Sequence, residues 1–155
     1  YNSSQWQVID SISQIFFIVD ANRMITPEFT IEDFNNDGYD DFLCWPFTDI
    51  HGNQWTIIYL YDPISARVVK LFNPAENTFI WDNPMYDTTK QQISCEMLSG
   101  VLGVHIESSY LLQGLRAEPL EKTVIENTMS GETIISKERH YKGKKGHWKR
   151  ISKHE

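Results

Sequence analysis

Asp33, Asn35, Asp37 and Asp41 place oxygen-bearing side chains at positions 1, 3, 5 and 9 of one short stretch, Asp33-Phe34-Asn35-Asn36-Asp37-Gly38-Tyr39-Asp40-Asp41. Oxygens at that spacing can encircle a hard cation, and calcium takes about six to eight of them. The backbone carbonyl of Tyr39 would add one more. Gly38, at position 6, lets the chain bend where a Cβ would be costly. Without an ion, Asp33, Asp37, Asp40 and Asp41 crowd like charges into one turn, which opposes closure. A bound Ca2+ reverses that sign and fixes the segments leaving the loop. Its expected role is structural, because calcium acidifies water weakly and no general base is recognisable beside the loop. The plainer alternative is an Asn/Asp-rich turn that closes without metal.

The elements that must position this loop are strands. Position 12 is Cys44, so the bidentate glutamate that closes an EF-hand is missing, and no long helical pattern flanks the loop. Phe29-Thr30-Ile31 before it and Phe42-Leu43-Cys44-Trp45 after it are β-prone. Beyond them, period-2 patterning dominates. Residues 54–61 and 66–72 form an expected hairpin across Asp62-Pro63, and Asn73-Pro74 breaks the chain again. A short strand at 78–81 is ended by Asp82-Asn83-Pro84. Further hairpins are expected from 91–98 with 101–112, and from 115–127 with 133–141. A basic hairpin closes the series at 133–152, turning at residues 142–146. Strands every 8 to 12 residues, each closed by Gly, Pro or Asn, predict an all-β antiparallel meander in a single domain over residues 1–155. At residues 4–16 helix competes with strand, because Trp6, Ile9, Ile12 and Phe16 fall at helical spacing. That segment is left open.

Charge and cysteines bear on compartment and partner. The formal net charge is −7. Residues 137–155 hold eight Lys/Arg against Glu138 and Glu155, a net +6, so residues 1–136 carry −7 − 6 = −13. An acidic body argues against nucleic acid and anionic membrane and suits a cationic protein partner, whose approach it would steer. The basic end is expected to be solvated or to cover the acidic face of its own domain. No apolar run approaches the length of a membrane-spanning helix. Tyr1 in place of methionine is expected of a processed chain. Cys44 and Cys95 read either as a bridge, worth up to ~4 kcal/mol in an oxidising compartment, or as two buried thiols. Calcium and oxidising conditions occur together outside the cytoplasm, so an exported, bridged protein is the expectation.

Catalytic patterns are missing. There is no GxSxG or SxxK, no cysteine in a thiol-enzyme signature, and no visible partner for His105. His140, His147 and His154 recur every seven residues and are expected to be solvated rather than to hold metal. The chain is therefore read as a non-enzyme.

The acidic loop is followed in order by Tyr59-Leu60-Tyr61-Asp62-Pro63, Asn83-Pro84-Met85-Tyr86-Asp87 and Lys90-Gln91-Gln92-Ile93-Ser94. Over about residues 31–112 this series resembles a family of small bacterial periplasmic proteins, often lipoproteins, with an FG-GAP/VCBS-type calcium loop and a β-propeller-like fold. Members of that family are lysozyme inhibitors or immunity proteins against peptidoglycan-degrading effectors of type IV or type VI secretion systems. Asp33, Asn35, Asp37, Tyr39 and Asp41 fall on the family's metal positions. The resemblance implies a periplasmic protein that occludes the active site of a cognate, cationic cell-wall-targeting effector. No lipobox cysteine is in this chain, which leaves a lipid anchor open. The candidate contact loop is 81–87, with Trp81, Asp82, Tyr86 and Asp87 as anchors on a proline-stiffened turn. An ordinary strand connection with a tucked-in Trp is the alternative there. A calcium-stabilised glycan- or peptidoglycan-binding module is the alternative function.

Overall fold

The computed structural model describes residues 28–100, 103–129, 131–141, 144–145 and 149–153. The expected segment at 4–16, most of the turn at 142–146, and His147 and His154 lie outside the described residues. Within them every regular element is a strand: β1 (Glu28–Glu32), β2 (Asp41–Thr48), β3 (Gln54–Asp62), β4 (Arg67–Lys70), β5 (Ile80–Asp82), β6 (Met85–Asp87), β7 (Gln92–Ser99), β8 (Val104–Gln113), β9 (Arg116–Asn127), β10 (Thr133–Tyr141), β11 (Lys144–Lys145) and β12 (Lys149–Lys153).

The strands form two antiparallel sheets. In the first, β1-β2-β3-β4 run in order, and β5 joins the same edge of β3 as β4. In the second, the order is β11-β10-β9-β8-β7-β6, with β12 also on β10. Sequential pairing of this kind is the meander the sequence predicts. The propeller-like arrangement implied by the resemblance is not formed: among the described residues there is no ring of blades and no closed barrel.

Between the sheets lies one apolar core. Leu43, Ile58, Leu60, Leu71 and Trp81 come from the first sheet side, and Ile93, Cys95, Tyr110 and Leu112 from the second. Alternation along β2 and β3 sends every second side chain inward. The two prolines inside strands sit where pairing is interrupted. Pro46 lies in the register shift between β2 and β3, and Pro119 lies beside the shift between β8 and β9. Proline has no N–H for a ladder, so a bulge is where a strand tolerates it.

The expected Cys44–Cys95 bridge is corrected by this packing. Both thiols are free and buried. Leu43 points into the inter-sheet core, so Cys44, one residue on, points to the opposite face of the first sheet, where it packs with Ile57 and Tyr59. Cys95 belongs to the core between the sheets. A sheet separates the two sulfurs. Alkylation of the unfolded, unreduced protein is expected to modify both thiols at once, whereas a bridged pair would react only after reduction.

Candidate functional site

The acidic loop connects β1 to β2 and is closed by its own side chains. Asp33 accepts from the Asp37 N–H through Oδ1 (2.9 Å) and from the Gly38 N–H through Oδ2 (2.8 Å). Asn35 Oδ1 accepts from the same Asp37 N–H (3.1 Å), and Asn35 Nδ2 donates to Asp37 Oδ2 (3.0 Å). Asp37 Oδ1 in turn accepts from the Tyr39 N–H (3.0 Å). Left-handed backbone at Asn36 (φ 57°) and Gly38 (φ 90°) makes these inward bonds possible. Asn tolerates that region better than most residues, and Gly pays no Cβ penalty there.

Two residues fasten the loop to the sheets. Phe34 is buried in the core with its ring 5.9 Å from that of Tyr86. Asp41, only 2% exposed, accepts from the Phe34 N–H (3.2 Å) and, across to β3, from the Tyr61 N–H (2.8 Å). Burial pushes the Asp41 carboxyl above the usual carboxylate range, and the Asp37 charge adds to that, against the pull of the backbone N–H groups. Tyr39 rests its ring 5.6 Å from Tyr61 and remains exposed.

The donor set fits a hard cation in kind. Asp33, Asn35 and Asp37 turn their oxygens into one small turn, and each carboxylate oxygen that accepts one N–H keeps a second lone pair. Yet among the described residues no three His, Cys, Asp or Glu side chains gather into a group able to hold a metal by themselves. An ion here would depend on the Asn35 amide oxygen and the Tyr39 carbonyl, as the spacing in the sequence requires.

The 81–87 segment turns out to be the crossing between the sheets, with β5 in the first and β6 in the second. Trp81 is completely buried, its Nε1 donates to the Leu71 carbonyl (3.1 Å), and it meets Tyr110 edge-on at 4.9 Å. It cannot serve as an exposed contact anchor; the tucked-in alternative describes it. Asp82 lines a small cavity of about 110 Å³ with Cys95, Tyr110 and Glu76. Burial raises its carboxyl, and the Glu76 and Asp49 charges raise it further. Glu76 itself is paired with Lys122 at 2.7 Å. Burial raises the Cys95 thiol far out of the range of a nucleophile. Tyr86 is half-buried, and Asp87 is held by Lys90 at 2.9 Å. Of the four residues grouped by the sequence, Trp81 is buried, whereas Asp82, Tyr86 and Asp87 are each partly exposed, Asp82 on β5 and the other two on β6.

What sequence reasoning did not find is the pair of asparagines that hold this crossing. Asn83, in left-handed conformation (φ 43°), accepts from the Gln54 N–H (2.8 Å) and donates to the Glu96 carbonyl (2.8 Å). Buried Asn53 donates to the Leu98 carbonyl and accepts from the Leu98 N–H (2.7 and 2.9 Å). Each ties a first-sheet segment to β7. The one available signal was Asn83-Pro84, read as a strand break.

Beside this crossing opens a cleft of about 620 Å³. Leu43, Trp45 and Met85 line it together with neutral polar side chains such as Thr56 and Asn83, and the carboxylates Glu32 and Glu96 also line it. Trp45 donates its indole N–H to Glu28 (3.0 Å), which adds a third carboxylate on the same side. Apolar side chains beside carboxylates can take a cationic or amphipathic protein segment.

Fold and site thus define a two-sheet antiparallel β protein with an Asp/Asn loop built onto its core. The structure is similar to that of a Xanthomonas protein related to a type IV secretion system, with a TM-score of 0.58 and 17% identity. The match covers 88% of this chain and 62% of that one, so the chain spans less than two thirds of that protein's length. At this identity the likeness shows a shared fold. No protein-family model and no curated protein sequence matches the chain.

Proposed function

We propose that this is a periplasmic immunity protein, a stoichiometric inhibitor without catalytic activity, which occludes the active site of a cationic, peptidoglycan-cleaving effector of a type IV or type VI secretion system. The observation that carries the reading is the open cleft lined by apolar Leu43, Trp45 and Met85 and by the carboxylates Glu32 and Glu96, set in a body of charge −13 over residues 1–136. Cell-wall enzymes work in an anionic envelope and are often cationic, so an acidic inhibitor gains in approach rate as well as in fit. The family resemblance in the sequence points the same way. So does the fold shared with a protein related to a type IV secretion system. In this reading Ca2+ is held by Asp33, Asn35, Asp37, the Tyr39 carbonyl and Asp41. It supplies charge neutralisation that stiffens the β1–β2 connection beside the cleft.

The test is capture from periplasm and sister-cell lysates, followed by assay of any captured cell-wall enzyme against purified sacculi. One enzyme bound at equal stoichiometry and silenced by the protein is expected. The Glu32→Lys/Glu96→Lys variant should bind about tenfold more weakly or worse at low salt, with the difference shrinking as salt rises. Binding to sacculi with no protein captured would instead support a glycan-binding module. An unchanged affinity in the charge variant would remove the cleft from the interface.

A further inference from the structure

Asp82 stands where the two sheets meet, in surroundings that do not suit a charge. It ends β5, and its backbone pairs with Trp55 on β3. The wholly buried Trp81 precedes it, and Asn83, which ties β3 to β7, follows. The small cavity that Asp82 lines is walled by Asn73 and Glu76 from the β4–β5 connection, Cys95 and Glu96 from β7, Tyr110 from β8 and Lys122 from β9. The ionisable groups around it are therefore Glu76, Glu96, Lys122, Cys95 and Tyr110, and Asp49 acts on it from the β2–β3 connection. Three of these are carboxylates, against one ammonium. The nearby donors have other partners. Lys122 is bonded to Glu76 at 2.7 Å, Asn73 Nδ2 donates to the Ile80 carbonyl at 3.2 Å, and the Tyr110 hydroxyl is engaged by Ser108 and Asn73. Among the described residues no donor hydrogen-bonds the Asp82 carboxylate.

We infer that Asp82 is a proton-sensitive joint between the sheets, which loosens the crossing from β5 to β6 when it is ionised and tightens it when it is protonated. Ionised, it sets a half-buried charge without a donor beside other carboxylates, and that cost falls on the contact of β5 with β7. A proton removes both the charge and the repulsion. Cys95 and Tyr110 take no part, because burial raises both groups far above the neutral range. Burial first, and then the Glu76 and Asp49 charges, raise the Asp82 carboxyl in the folded chain, against the pull of Lys122. The folded state therefore holds this proton more tightly than the unfolded one. The stability it lends is complete below the ordinary carboxylate value, about 4, and is lost as pH rises through the higher value of Asp82 in the folded chain. Asp41 contributes with the same sign, and Asp49, Asp62, Asp87 and Glu121, all lowered, with the opposite one. Only the difference between the unaltered chain and an Asp82 variant isolates the joint. Asn83, Pro84, Met85 and Glu96 also line the cleft, so the same proton stiffens one wall of it.

Native-state hydrogen exchange of the full chain, corrected for intrinsic rates, reads the crossing at two amides. These are the Gln54 N–H held by Asn83 and the Leu98 N–H held by Asn53. Protection of both is expected to rise about fivefold from neutral pH to about pH 4.5. In Asp82→Asn the rise should vanish, and protection at neutral pH should match the acid level of the unaltered protein. If these amides exchange only through global unfolding, the urea midpoint is read against pH by the same comparison. The same pH dependence in Asp82→Asn as in the unaltered protein overturns the inference. A gain in the variant that is constant at every pH also overturns it, since that gain belongs to the new amide and not to a proton. If Asp82→Asn does not fold, the Asp82 carboxyl carbon of the unaltered protein is titrated by NMR. A midpoint above the ordinary carboxylate value upholds the joint, and one at or below that value overturns it.

Discussion

Trp81→Ala is expected to destabilise the protein by about 3–5 kcal/mol, the largest effect of any single substitution considered for this chain. The side chain is wholly buried, at the point where β5 packs against β7 and β8. Its removal leaves a cavity between the sheets. It also leaves the Leu71 carbonyl without the indole N–H that bonds it at 3.1 Å, and Tyr110 without its edge-on partner. An unsatisfied buried carbonyl costs about 1–3 kcal/mol, and a lost aromatic pair about 0.5–1.5. A domain with about 5–15 kcal/mol of stability is brought close to its limit by that loss. Urea unfolding should show a lower midpoint at an unchanged slope. Trp81→Phe keeps most of the volume and should lose less than half as much. Because Trp81 is not at the surface, that variant should bind any partner as the unaltered protein does. A Trp81→Ala loss below about 1 kcal/mol would mean that the core does not depend on this contact.

Much of the fold was legible because a half-buried strand writes itself as alternation. Residues 54–61 and 66–72 were expected as a hairpin and are β3 and β4; the long ladder from β7 to β10 follows the same rule. What alternation does not record is which sheet a strand joins. The turn at 81–87 looked like a loop able to present anchors, yet it carries the chain from one sheet to the other and buries Trp81 on the way. A buried Trp and an exposed one are spelled the same; only the partner surface, here Leu71 and Tyr110, separates them. Cys44 and Cys95 failed for a related reason. Both lie in apolar strands, and a one-residue difference in phase puts one on each side of a sheet. The Asp/Asn loop was the most readable part of the site, since its bonds are local and its spacing repeats them. The link from Asp41 to Tyr61 spans 20 residues, and no local pattern announces it.

That link sets the second large effect and separates the loop's framework from its proposed ion. Asp41→Ala is expected to cost about 2–4 kcal/mol whether or not calcium is present. It leaves the Phe34 and Tyr61 N–H groups unpaired at buried or half-buried positions, each worth about 1–3 kcal/mol. For a domain of this size the melting temperature should fall by roughly 5–15 °C. Asp37→Ala removes only bonds within the exposed turn and should cost less than about 1 kcal/mol in chelator. If the loop holds Ca2+, the unaltered protein melts higher in millimolar calcium than in chelator, because an ion bound only by the folded state adds its binding free energy to stability. Asp37→Ala should erase most of that increment, and Asp41→Ala should lose it on top of its larger intrinsic deficit. The four melting curves therefore answer two questions independently. No calcium shift in the unaltered protein would remove the ion while leaving Asp41 as the clamp between loop and sheet. A calcium shift retained in Asp37→Ala would place the ion elsewhere. Equal deficits for the two variants in chelator would mean that the Phe34 and Tyr61 bonds are not what holds the loop, and that its closure rests on Asp33, Asn35 and Asp37 instead.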